Sequence, residues 1–164
     1  MQLVIMSAVA FLTTFAYFAT ERRLHHFEIL AAWLTAIIIN SPAYSFFAVN
    51  HHWVSVPRIG EIAAARLIYT QWLFPLYVTW TVGRMTALRR PLAKLAFFLA
   101  ADAAMIGLGW GLHLSGIVQF KPAAWPYYAI LKTIVLLSSA GAALGIRYLM
   151  RKDGIPDAAF HRPE

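Results

Sequence analysis

The chain has no cysteine, which removes disulfides, thiolate metal sites and cysteine nucleophiles. Charge is almost as scarce. Only 13% of the 164 residues are charged, against about 25% in an ordinary soluble domain. So little charge leaves too little polar surface to solvate a globule of this size. Also missing are a nucleophile elbow, a phosphate-binding glycine loop and an HExxH zinc helix. No pattern of residue types therefore argues for an enzyme, and none calls for a cofactor.

What is abundant is apolar: 60% of the residues are hydrophobic. A hydrocarbon core about 30 Å thick takes about 20 apolar residues of helix to cross. Five runs reach that length: Gln2–Thr20, Glu28–Val49, Ile62–Gly83, Leu95–Ile117 and Trp125–Tyr148. Polar or turn-forming segments separate them, at Glu21-Arg22-Arg23, Asn50-His51-His52, Arg84 to Pro91, and Lys121-Pro122. The expected fold class is all-α, an integral membrane bundle of five transmembrane helices. Residues 1–150 form its single domain and residues 151–164 a short polar tail along the cytoplasmic surface.

The basic residues test the count. With the N-terminus outside and the C-terminus cytoplasmic, ten fall inside: Arg22, Arg23, Arg84, Arg89, Arg90, Lys94, Arg147, Arg151, Lys152 and Arg162. Only Arg58 and Lys121 fall outside. That asymmetry is the positive-inside pattern, and it holds loop by loop. Omitting any one span would put basic clusters on both sides. The first run lacks a basic leader and has Tyr17 and Phe18 at its end, so it reads as a retained helix rather than a cleaved signal. Trp53, Trp125, Tyr127 and Tyr128 sit at the outer interface, where aromatic belts form. The net charge of +7 belongs to these loops and not to a nucleic-acid surface, so the expected partner is the lipid bilayer of the plasma membrane.

Two small-residue stripes stand out: Ala103, Gly107 and Gly111 in the fourth run, Gly141 and Gly145 in the fifth. Spaced by four, they let helix backbones approach closely. They are expected to pack on each other within the chain, or to form a seam with a second copy or another membrane protein. Pro42 and Pro75 each remove a backbone donor and predict kinks.

Ionisable groups inside spans are costly and call for a functional hypothesis. Arg66, Asp102, His113 and Lys132 are the candidates, with Asn40, Tyr44 and Gln71 as neutral companions and Glu61 at the outer boundary. In one reading Arg66 and Lys132 snorkel to the surface and Asp102 is satisfied by Thr13, Thr14 and Tyr77. In the other the set lines an outward-facing polar cavity for a proton relay or an anionic or polar ligand. Depth argues against a direct Asp102–Lys132 bridge, because the two lie on opposite sides of the midplane. Only His113 lies within a span, so paired histidine ligands for a haem are not available. An outer metal site at His51-His52 with Glu61 has little specificity.

The segment Asn40, Tyr44, Asn50-His51-His52-Trp53, with Glu61 opening the next run and Phe74-Pro75 within it, carries a likeness. Over Asn40 to Gly83 the chain resembles a family of small uncharacterised polytopic integral membrane proteins of spore-forming Gram-positive bacteria. The resemblance implies architecture and no mechanism. Three functional classes follow as expectations. The first is an accessory or assembly protein acting through helix contacts. The second is a small-solute or proton transporter using Asp102, His113, Arg66 and Lys132. The third is a lipid-acting membrane enzyme using Glu61 and the outer histidines.

Overall fold

The computed structural model describes residues 1–20, 24–55 and 59–154, all-helical apart from one pair of two-residue strands. The expected break at Glu21-Arg22-Arg23, the outer-loop Arg58 and the tail beyond Gly154, with Arg162, lie outside the described residues. Helix α1 runs Gln2–Ala19, α2 His26–Val49, α3 Gly60–Ile68, α4 Phe74–Ala87, α5 Pro91–Leu114 and α6 Trp125–Lys152. Strands β1 (Val54–Ser55) and β2 (Gln119–Phe120) pair antiparallel, with Val54 opposite Phe120.

Four helical segments are long and apolar enough to cross a membrane: α1, α2 as far as Phe47, α5, and the stretch Pro122–Lys152 that contains α6. The expected third run is helical but built in three pieces. Between α3 and α4 lies one π-helical turn, Tyr69–Leu73. Pro75 has no amide hydrogen and crowds the carbonyl four residues back. Just ahead of it the Phe74 amide reaches the Tyr69 carbonyl, five residues back. The expected kink is thus a widened turn placed before the proline, a feature that recurs at functional sites.

Helix ends follow local chemistry. At α2 the His25 ring accepts from the Phe27 amide, and Glu28 accepts from the His25 amide at 2.9 Å. This capping box starts the helix two residues before the expected Glu28. At α5, Gly116 takes φ +73° and ends the helix, so Ile117 is not helical as expected. Ile117 and Val118 turn back into the core instead.

Contacts at the two ends show that successive rods alternate in direction. At one end β1 and β2 join the α2–α3 and α5–α6 connections, Gln2 Nε2 donates to the Ser115 carbonyl at 2.5 Å, and the Met1 amine donates to Glu61. At the other end Glu28 of α2 pairs with Arg147 of α6, and Leu24 packs against Gly83 of α4.

The most extensive helix pair is α2 with α6. Ala32 and Ala36 of α2 and Ala140 and Ala143 of α6 are buried, and small side chains of this kind let axes close up. The glycine stripes take no part, which corrects one expectation. Ala103, Gly107, Gly111, Gly141 and Gly145 are all exposed, and a Cβ added at any of the four glycines would meet nothing within 4 Å. The inward face of α5 carries Ala101, Met105, Gly109 and Leu112; a stripe offset by two residues points away from it. Gly109 is the glycine that close packing requires, because a Cβ there would collide with the ring and hydroxyl of Tyr128 on α6.

Candidate functional site

Lys132 lies on the buried stripe of α6 that includes Tyr128, Val135 and Ser139. It is 1% exposed. Its Nζ donates to Asn40 Oδ1 of α2 at 2.7 Å and sits 3.7 Å from the centroid of Phe74 and 4.9 Å from that of Tyr128. The expectation that Lys132 snorkels is therefore corrected. Its stem leaves α6 on the face that packs inward, and the ammonium is received by one amide oxygen and two ring faces.

Arg66 of α3 is the second cation, half-buried, with its guanidinium carbon 4.6 Å from the centroid of the Tyr44 ring. Tyr44, Tyr69 and Tyr128 are each more than nine-tenths buried. The Tyr44 hydroxyl and Nε of Arg66 have no hydrogen-bond partner among the described residues, and the Tyr69 and Tyr128 hydroxyls interact with each other. The three phenols are close enough to interact electrostatically with one another. Phe120 packs its ring against both Tyr44 and Tyr128 and so carries the β1–β2 ribbon down over the cluster. The result is a centre with two cations, several idle donors and, among the described residues, no carboxylate bonded to either cation.

Of the described carboxylates, Asp153 is exposed at the end of α6, and Asp102, Glu61 and Glu28 are engaged elsewhere. Asp102 Oδ2 accepts at 2.9 Å from Thr133 Oγ1 of α6, the residue next to Lys132. Asp102 and Lys132 therefore lie at similar depth, and their expected separation across the midplane is corrected. Asp102 Oδ1 is buried without a partner among the described residues. Thr13 and Thr14, expected as its companions, bond carbonyls of their own helix, and Tyr77 donates to the Ala101 carbonyl. Glu61 accepts from the Met1 amine and the Leu3 amide, which hold its carboxyl below the usual glutamate range. Glu28 is buried and bonded by both Nε and Nη2 of Arg147.

His113 is not part of the centre's polar set. Its Nδ1 accepts from the Phe120 amide at 3.1 Å, and its ring lies among Trp110, Phe120 and Trp125. It anchors the strand β2. Asp102 and His113 share a side of α5, but eleven residues put them roughly 16 Å apart. Among the described residues no group of three His, Asp or Glu is placed to hold a metal, and His51 is stacked on Trp53.

The structure thus joins Asn40, Tyr44, Arg66 and Lys132, and leaves Asp102, Glu61 and His113 outside. Sequence reasoning missed Tyr69 and Phe74, because aromatics in an apolar run look like lipid-facing or core residues. Its placing of Tyr128 in the outer aromatic belt is corrected, since that ring is buried against Lys132. The missed signal was the i, i+4 spacing of Tyr128 and Lys132 on one helix face. It also missed the Glu28–Arg147 pair, whose members lie at the ends of two different runs. Compared with known proteins, the chain matches no family model, no curated protein and no solved structure.

Proposed function

We propose that this is a five-span protein of the plasma membrane, N-terminus outside, that holds an anionic group at a cationic, tyrosine-walled centre in its outer half. The five crossings and their orientation are supported by the ten-to-two distribution of basic residues and by the alternation of rods, with the π-turn rod as the third crossing. One observation carries the functional reading: Lys132 is buried with Asn40 as its hydrogen-bond partner and, among the described residues, no carboxylate bonded to it. Burying an uncompensated ion costs several kcal/mol. An ammonium has three donors; one is used here. With Arg66 Nε and the Tyr44 hydroxyl also idle, donors outnumber acceptors at the two cations. A negatively charged acceptor supplies what is missing.

The test is a thermal-shift titration of the purified protein with short-chain and long-chain carboxylates and phosphate. Anions are expected to stabilise the wild type and to lose that effect in Lys132→Met. If the two proteins respond identically, the ammonium has no ligand and the proposal fails.

A second reading, assembly with another membrane protein, rests on the outward glycine faces. Cross-linking at Gly141→Cys in membranes checks it, since a seam gives one specific product and a lipid-facing surface gives none. The lipid-acting enzyme draws no support, because Glu61 and His51 are engaged apart from each other.

A further inference from the structure

A cavity of about 700 Å³ lies between α1 and α5, floored by the π turn and the start of α4. Helix α1 packs on α3, the π turn and α4, and meets α5 at the outer end through the Gln2–Ser115 hydrogen bond. That bond bridges the cleft on its outer side, while its flank faces the bilayer. From Gln2 to Thr13 on α1, and from Ala104 to Ser115 on α5, the walls run eleven residues, roughly 16 Å. Half of a hydrocarbon core about 30 Å thick is nearly the same length. The lining is overwhelmingly apolar, with Met6, Val9, Leu73, Met105 and Leu108 among its side chains.

Gly107 and Gly111 also line this cleft, and open space stands where their side chains would be. A second feature links the cleft to the cationic centre. Tyr69, 7% exposed, forms part of the wall, and its hydroxyl interacts with that of Tyr128, whose ring faces the Lys132 ammonium. Phe74 is wall to the cleft, and Lys132 Nζ sits over its ring. Cleft and cationic centre are therefore separated by one layer of aromatic side chains.

We infer that the ligand is a long-chain amphiphile with an anionic head, drawn from the bilayer. Its chain occupies the α1–α5 cleft and its head is directed to Tyr69 and the Lys132–Arg66 centre. The outer bridge disfavours entry from water, the lining excludes a purely polar solute, and the length fits one leaflet's worth of chain. The head assignment rests on the function proposed above; the chain assignment rests on the cleft alone.

The experiment uses the full chain in phosphatidylcholine vesicles and a long-chain fatty acid carrying a mid-chain diazirine. After irradiation, labelled positions are mapped by peptide mass spectrometry. Label is expected on Met6, Val9, Met105 and Leu108, competed away by unlabelled fatty acid. Gly107→Leu with Gly111→Leu fills the cleft without meeting the bundle and should lose this label, while background at Leu137 and Leu144 persists. In Lys132→Met the fatty acid should compete more weakly than in wild type, whereas the matching fatty alcohol should be unchanged. Label spread evenly over all lipid-facing helices means annular lipid only and overturns the cleft site, without touching short-anion binding. Cleft label for which acid and alcohol compete alike in wild type overturns the anionic head and leaves the chain site standing.

Discussion

Lys132 and Asn40, 92 residues apart in sequence, are joined across the α2–α6 contact by a 2.7 Å hydrogen bond between Nζ and Oδ1. Their roles are unequal, and substitutions should show it. Removing a buried ion relieves a desolvation cost of several kcal/mol, which offsets the roughly 1–3 kcal/mol of leaving the Asn40 oxygen without its donor. Lys132→Met should therefore unfold no earlier than wild type in denaturant titration. Asn40→Leu strands the ammonium and should cost about 1–3 kcal/mol. If both variants are equally destabilised, Lys132 is a structural residue.

The glycines should rank by the packing seen here and not by motif. Gly109→Ala drives a methyl group into Tyr128 and should cost about 1–3 kcal/mol through overpacking. Gly107→Ala and Gly141→Ala meet open space. They should be neutral or gain up to about 1 kcal/mol from improved helix propensity. Thermal unfolding of the three single variants in one detergent settles the order.

Glu28 and Arg147 tie the N-terminal end of α2 to the C-terminal end of α6, with side chains 3% and 19% exposed. Breaking a buried pair from one side costs about 3–5 kcal/mol. With Arg147 partly exposed, Arg147→Met should fall at or below the low end of that range. Glu28→Gln also weakens the capping box that starts α2. The double variant should recover part of the loss. Additive losses in the double-mutant cycle would mean that the two residues act separately.

Glu61 predicts a pH effect at the N-terminal end of α1. Its carboxyl is held below the ordinary value by the Met1 amine and the Leu3 amide. A lowered folded pKa makes the contribution present above the ordinary glutamate range and lost as pH falls through the lowered value. Amide exchange at Leu3 to Ile5, corrected for intrinsic rate, should rise on acidification. In Glu61→Gln it should already be high at neutral pH. Exchange that stays flat down to strongly acid pH in the wild type would show that the contact does not hold the helix.

Much of this molecule was written plainly in its residues. The long apolar runs, the arginines and lysines between them and the scarcity of carboxylates determined a helical chain with segments long and apolar enough to cross a membrane. They also located its helices to within a few residues, because water and hydrocarbon act on each segment separately. Where the helices stop at His25 or Gly116, short-range capping chemistry moved the ends. The side of a helix that faces its neighbours is a different kind of fact. A four-residue glycine spacing reads the same whether it meets a helix, a lipid or a cavity, so Gly109 and not Gly107 became the packing residue only once α6 was in place. Likewise a lysine has a stem long enough to reach the surface or the core. Contact with α2 and with the aromatic rings of α4 and α6 sent Lys132 inward, and composition could not have foretold it, since the partners lie on separate helices brought together by the fold.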